Sequence, residues 1–351
     1  MENWKELLSK SITNYEELKK VLNNLPELTK KPIKFMINPY ILSLMDKDDI
    51  NCPIRKQFIP TDEEYDVAPH EIEDELSEES CRIEKTSIIH RYPNRVLFLV
   101  SPICGAYCRH CTRKHNIFVN YTIDKEEILR GVEYIKNNKQ IQDVLVSGGD
   151  PLMLDDNQLE FIFKSIREVR PDLKILRVGS RMPVVMPYRL TKELGLLFEK
   201  YNITHLNIQV NHPKEITPIF KQYIKNFIKL SGCLVGNQSV LLRGVNDSIE
   251  IMRDLCMKLS SCSIRPYYVY TMDPAKGNYK WQVSYDKTLN IIEGLRGWIS
   301  GVAIPTFVID GIGGMGKMPI QPTYVTKKGE MLVCRNFEQK TRDISWLLKD
   351  K

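Results

Sequence analysis

The chain has no apolar run near the ~20 residues that a helix needs to cross a bilayer. Its opening residues, Met1-Glu2-Asn3-Trp4-Lys5-Glu6, lack the basic and then apolar pattern of a secretory leader. Together these absences predict a cytoplasmic protein with no membrane partner. Thiols are reduced in that compartment, so the nine cysteines are not read as a disulfide framework. Excess charge is also lacking: the net value is only +6 over 351 residues, and the lysines are scattered. A nucleic-acid surface needs clustered Lys and Arg with interleaved aromatics, so no nucleic-acid partner is expected. Internal repeats and low-complexity segments are absent too, which argues against solenoids and tandem arrays.

What is present is ordinary globular composition, 42% hydrophobic and 27% charged, in a chain long enough to bury a large core. Hydrophobic periodicity divides it. Residues 1–60 read as short helices, with Trp4, Leu7, Leu8 and Ile12 at helical spacing, then Leu18, Val21, Leu22 and Leu25. Residues 61–86 form an acidic connector, read as an exposed wrap. From residue 87 to 310 strands and helices alternate. Strands are predicted at 96–100, 143–147, 175–179, 205–210, 239–242 and 264–270, with a late one at 302–310. Helices are predicted at 125–137, 157–169, 192–201, 214–230, 249–259 and 285–294. This alternation implies an α/β fold with a parallel sheet, an open or partial (β/α)6 barrel. Chemistry in such barrels gathers where strands end. Residues 311–351 hold a glycine loop and a hairpin around Lys328-Gly329.

The densest chemistry lies just after the first barrel strand. Cys104, Cys108 and Cys111 form a C-x3-C-x2-C pattern flanked by Arg109, His110, Arg113, Lys114 and His115. Three thiolates this close suit three irons of a [4Fe–4S] cluster, leaving the fourth iron open to a small molecule. The further Cys-Pro of ferredoxin spacing is missing. Two other readings stand beside this one. C-x2-C is also zinc spacing, with His110 or His115 as a further ligand, and free cysteines often only fill a core.

Two glycine segments also end strands. In Ser147-Gly148-Gly149-Asp150-Pro151 the glycines allow the backbone to approach a ligand closely, and Asp150 suits a charged amine. An ordinary turn has the same composition. Gly311-Ile312-Gly313-Gly314-Met315-Gly316-Lys317 fits the start of a nucleotide P-loop, but Met318 stands where Ser or Thr would bind Mg²⁺. Pro319 and Pro322 also forbid the helix that must follow. A lysine on a flexible glycine loop suits a Schiff base with a carbonyl cofactor instead. His90-Arg91-Tyr92-Pro93-Asn94-Arg95 offers two arginines of the kind that hold phosphate, or merely two surface arginines.

The stretch CGAYCRHCTR, Cys104 to Arg113, resembles the cluster loop of radical S-adenosylmethionine enzymes. The wider HRYPNRVLFLVSPICGAYCRHCTRKH is similar to the lysine 2,3-aminomutase family, and the similarity extends from about Ile33 to Asn336. That resemblance implies a TIM-like partial barrel over 87–310 and a [4Fe–4S] cluster on Cys104, Cys108 and Cys111. It implies S-adenosylmethionine against Gly148, Gly149 and Asp150. It further implies pyridoxal 5′-phosphate bound covalently by Lys317 and contacted by Arg91 and Arg95. The implied reaction moves an amino group from C2 to C3 after a 5′-deoxyadenosyl radical removes hydrogen from C3. An electron donor such as flavodoxin or ferredoxin and a homo-oligomer are implied as partners.

By the same resemblance Arg113 pairs with the substrate carboxylate, while Asp273 and Asp310 grip the distal ammonium of lysine. Two carboxylates in a closed site offset the desolvation of one cationic tail, whereas a diacid would be repelled. Lysine is therefore expected ahead of glutamate, and arginine stays open. The chain departs from the family at a structural zinc site built partly from C-terminal cysteines. Here only Cys334 follows Lys317, and Ser248 occupies the upstream cysteine position, so zinc is not expected. A shortened tail also occurs in relatives that modify a lysine of elongation factor P, which makes a protein lysine the alternative substrate.

Overall fold

The computed structural model describes residues 3–114 and 124–348. One nine-stranded sheet runs in chain order. β1 (Ile88–Tyr92) is antiparallel to β2 (Arg95–Ser101). β2 is followed by six more parallel strands: β3 (Asp143–Gly148), β4 (Ile175–Gly179), β5 (His205–Ile208), β6 (Leu234–Val240), β7 (Arg265–Tyr270) and β8 (Thr306–Gly311). β9 (Gly316–Ile320) returns antiparallel to β8. The sheet curls into a half-barrel, as the alternation predicts.

Four short helices precede it: α1 (Trp4–Ser9), α2 (Tyr15–Lys19), α3 (Pro39–Leu44) and α4 (Pro53–Phe58). The outer layer is α5 (Lys125–Asn137), α6 (Asp156–Val169), α7 (Met182–Val185), α8 (Lys192–Lys200), α9 (Pro218–Ser231), α10 (Ile249–Ser261) and α11 (Tyr285–Leu295). Six βα units result, from β2–α5 to β7–α11, and β8 supplies a seventh parallel strand. Among the described residues no helix is long and apolar enough to cross a membrane.

Local chemistry explains the elements. Asp155 accepts from the Gln158 amide, and the Gln158 side chain answers the Asp155 amide, so α6 starts on a reciprocal cap. Leu159, Ile162, Phe163 and Ile166 then recur at helical spacing and are all buried. Each such side chain contributes roughly 1.5–3 kcal/mol by leaving water. In α9, Thr217 caps Phe220, Pro218 takes the first turn where its missing N–H costs nothing, and Gly232 ends the helix at φ 63°. Ser248 caps Ile251 at the start of α10. β2 buries Val96, Phe98, Leu99 and Val100 in a near-continuous apolar run because both faces of the parallel sheet are covered.

The structure corrects several expectations. β6 begins at Leu234, five residues before the expected strand, because Gly236 and Asn237 interrupt the apolar signal yet are buried in the ladder. The expected helix at 214–230 starts only at Pro218, after a 3-10 turn at Pro213–Glu215. The late strand is shorter, Thr306–Gly311, because Gly301–Ala303 forms a 3-10 turn. Helix α4 lies inside the helical region expected over residues 1–60. The hairpin turns as predicted at Gly329, φ 59°, between β10 (Val325–Lys328) and β11 (Met331–Arg335), and β12 (Thr341–Asp343) adds a third strand.

The larger correction is the acidic segment. It is an exposed wrap only in part: Glu63, Glu73, Glu79 and Glu84 are exposed, but Glu64, Glu71 and Glu75 are buried. Glu64 forms an ion pair with Arg109 in which both side chains are only 1% exposed. The Glu71 carboxylate accepts from the Asn278 amide at 2.6 Å and the Tyr279 amide at 2.5 Å. The Ile72 amide donates to the Pro274 carbonyl at 2.9 Å. A charge run reads as solvated only while its partners, here 45 to more than 200 residues away, are unknown.

Candidate active site

The strand ends converge on one cavity of about 350 Å³. Its lining includes Cys104, Cys108, Cys111, Arg113, Gly149, Asp150, Asp273, Asp310 and Lys317. A second cavity of about 370 Å³ shares Arg113, Tyr270 and Lys317 with the first and adds Arg91, Tyr92 and Arg95. Nine of the sequence-derived candidates thus surround one space and two more adjoin it, while Gly148 sits just behind, at the end of β3.

The cysteine loop leaves β2 and is tied down on both sides. The Arg109 amide donates to the Gln57 carbonyl at 2.9 Å, and its guanidinium joins Glu64. The Lys114 ammonium donates to the Gly277 carbonyl at 2.8 Å and to Asn278 Oδ1 at 2.9 Å. Arg181 Nη1 lies 2.6 Å from Cys108 Sγ, and its Nη2 donates to Glu215 and Gln57. A cation against a sulfur stabilises the thiolate that a metal requires. Burial pushes the Cys111 thiol up to about 11, and the neighbouring Cys108 adds to it. Among the described residues no three His, Cys, Asp or Glu side chains converge as for a single ion; the three thiols face a shared cavity. His110 is buried beside Asn211, with Nδ1 unpartnered, while His115 lies outside the described residues.

The Gly148–Asp150 segment packs against this loop. A Cβ on Gly148 would stand 2.3 Å from the Ser101 carbonyl oxygen, and one on Gly149 would stand 2.6 Å from that of Ile103. The glycines therefore let β3 abut the backbone entering the cysteine loop. Gly149 and Asp150 donate their amides to the same two carbonyls, at 2.6 and 2.8 Å. The Asp150 carboxylate accepts from Ser180 Oγ and from the amides of Leu152, Arg181 and Met182, all within 3.0 Å. Burial raises it to about 6 against these hydrogen bonds. Its oxygens are already engaged in joining the ends of β3 and β4.

Lys317 is not on a flexible loop. It lies in β9, directly opposite Asp310 in β8, and its Nζ is 3.0 Å from both Asp310 oxygens. Only the turn before it, where Gly313, Gly314 and Gly316 have positive φ, needs glycine. The Lys317 amide donates to Tyr92 Oη at 3.2 Å, and its ammonium lies 5.2 Å from the Tyr270 ring centroid. Arg95 stacks on the Tyr92 ring at 3.9 Å, and the buried Nε of Arg91 has no partner.

Asp273 is half-buried, with a buried and unpartnered Oδ1. Burial, then the charges of Asp310 and Glu75, raise it to about 7. Glu75 is also raised to about 7, first by burial. Arg113 is paired with Glu78; burial opposes ionisation of that carboxylate, but Arg113 holds it below its ordinary range. Arg181, Tyr92, Glu75 and Glu78 escaped the sequence reading. Arg181 had a usable signal, since it follows the end of β4 in a barrel whose strand ends carry the chemistry. The two glutamates had none, hidden in a run of like charges.

The Radical SAM superfamily model matches residues 98–256, and the Lysine-2,3-aminomutase model matches residues 292–342. The L-lysine 2,3-aminomutase of Clostridium subterminale is 42% identical over 346 residues, covering 96% of this chain and 82% of that protein. The Bacillus subtilis protein of the same name is 38% identical, covering 96% and 72%. The glutamate 2,3-aminomutase of Clostridioides difficile is 36% identical, covering 96% and 81%. The superfamily brings with it a [4Fe–4S] cluster and S-adenosylmethionine. With this similarity along nearly its whole length, the chain belongs to the lysine 2,3-aminomutase family of radical S-adenosylmethionine enzymes and is an isomerase.

Proposed function

We propose that the chain interconverts L-lysine and L-β-lysine with pyridoxal 5′-phosphate as a further cofactor. The observation that carries the substrate is the acidic end of the cavity, where Asp273 keeps an unpartnered buried oxygen beside Asp310. A buried carboxylate without a partner is costly unless a cation arrives, and a second acid would raise that cost.

In this reading Cys104, Cys108 and Cys111 hold the cluster, with Arg181 offsetting charge on Cys108. The backbone at Gly148 and Gly149 borders the cosubstrate, and Asp150 keeps that backbone in place. Lys317 provides the amine for the aldehyde cofactor, and Arg91 and Arg95 receive its phosphate, for which the unpartnered Arg91 Nε is suited. When bound, these groups supply a hydrogen-abstracting radical and a conjugated ring that spreads an unpaired electron. The chain's own side chains orient the substrate: Arg113 at the carboxylate, Asp273 and Asp310 at the distal ammonium. Holding both ends fixes C3 in the cavity and excludes water from the reacting carbon.

The test is anaerobic turnover by reconstituted protein of lysine, arginine, glutamate and a protein-borne lysine, with products identified by mass spectrometry. β-Lysine from free lysine is expected. Reaction of glutamate or of the protein substrate alone would overturn the substrate while leaving the family intact. Absence of an imine absorption band with added pyridoxal phosphate would remove that cofactor.

A further inference from the structure

The acidic segment crosses the cavity as a strap. Ile72 bonds to Pro274 and Lys276, on either side of the loop that follows Asp273. The Glu75 carbonyl accepts from Gly313, in the turn before Lys317, and Leu76 lines both cavities. The strap then ends on Arg113. Arg113 Nε donates to Glu78 Oε2 at 2.8 Å and Nη2 donates to Oε1, so the carboxylate takes one edge of the guanidinium. Among the described residues Nη1 has no hydrogen-bond partner. The two side chains are 24% and 17% exposed, so water screens the pair only partly.

We infer that Glu78 is a positioning residue: it grips the Nε edge of Arg113 and so aims the remaining Nη1 edge at the substrate carboxylate. The inference rests on the reading of Arg113 as the carboxylate ligand. A guanidinium is planar with five donors in a fixed fork, so fixing one edge fixes the direction of the other. An unanchored arginine would have to be ordered by the substrate itself, at a cost in rotamer freedom. Glu78 lines the second cavity and not the one that the three thiols face, so the effect falls on binding.

The experiment measures affinity calorimetrically on oxidised holoenzyme, for lysine and for 1,5-diaminopentane, which lacks the carboxylate but keeps a distal ammonium. Glu78→Ala is expected to weaken lysine roughly 10- to 100-fold, the scale of a lost charge-assisted bond, and to leave the diamine unchanged. In turnover KM rises while kcat stays within about threefold. Glu78→Gln, nearly isosteric, recovers part of the lysine affinity and carries the same comparison if the alanine variant does not fold. Adding Glu78→Ala to Arg113→Ala produces no further loss. Unchanged or tighter lysine binding in Glu78→Ala, or equal losses for lysine and diamine, would overturn the inference. Arg113→Ala with unaltered lysine affinity would instead refute the carboxylate-ligand reading beneath it.

Discussion

Lys317 and Asp310 face each other across the β8–β9 ladder, with the ammonium 3.0 Å from both carboxylate oxygens. The pairing ties the amine proposed for the aldehyde cofactor to one of the two carboxylates proposed for the substrate tail. Lys317 would hold the aldehyde cofactor through this nitrogen, so the 3.0 Å contact with Asp310 would differ between the cofactor-free and the loaded protein. Lys317→Ala should abolish the imine absorption band and turnover while iron content stays near that of the parent. A retained band would place the aldehyde on another amine.

Asp273 makes lysine binding pH-dependent. Burial first, then Asp310 and Glu75, raise its carboxyl to about 7. Below that pH it is protonated and no longer attracts a cation, so lysine affinity should fall by up to about tenfold per pH unit. Its folded pKa exceeds the unfolded value of about 3.9, so the folded chain binds more protons between about pH 4 and 7. This contribution to stability therefore falls as pH rises through that window. Asp273→Asn should flatten both profiles and raise KM for lysine at pH 8. An unchanged KM–pH curve in this variant would remove Asp273 from the site.

Cluster loading depends on the strap through Glu64. Its pair with Arg109 is almost wholly buried, so Glu64→Ala leaves a guanidinium without its counter-ion inside the protein. The expected loss is about 3–5 kcal/mol in urea unfolding. Iron uptake should fall with it, because Arg109 sits between Cys108 and Cys111. Full stability and iron content would show that the pair is dispensable.

Replacing any of Cys104, Cys108 or Cys111 by Ala should reduce bound iron from about four per chain to near zero after anaerobic reconstitution. Far-UV circular dichroism should be unchanged, since all three lie in the loop between β2 and α5. A variant that kept its iron would exclude that cysteine as a ligand.

Asp150 should behave as a structural residue. Asp150→Ala strands three donors, on Leu152, Ser180 and Arg181, while the Met182 amide keeps Ser180 Oγ, and is expected to cost about 3 kcal/mol or more. A stable variant that lost only S-adenosylmethionine affinity would return Asp150 to direct contact with the cosubstrate.

The sequence by itself determined whatever depends on neighbours along the chain. The C-x3-C-x2-C spacing, the six βα units and the glycine pair after β3 are local patterns, and so is Lys317 seven residues after Asp310. Periodicity and covalent reach are enough to read them. Only the tertiary structure decided that Lys317 belongs to a strand, because β9 exists by pairing with β8. It alone turned the acidic segment into a strap, joined Glu78 to Arg113 across 35 residues and brought Arg181 to Cys108 across 73. The physical reason is that a charged side chain carries no mark of its partner: Glu64 inside the protein and Glu63 outside it are the same residue type, one position apart. Which of them is buried depends on where Arg109 lies once the sheet has curled.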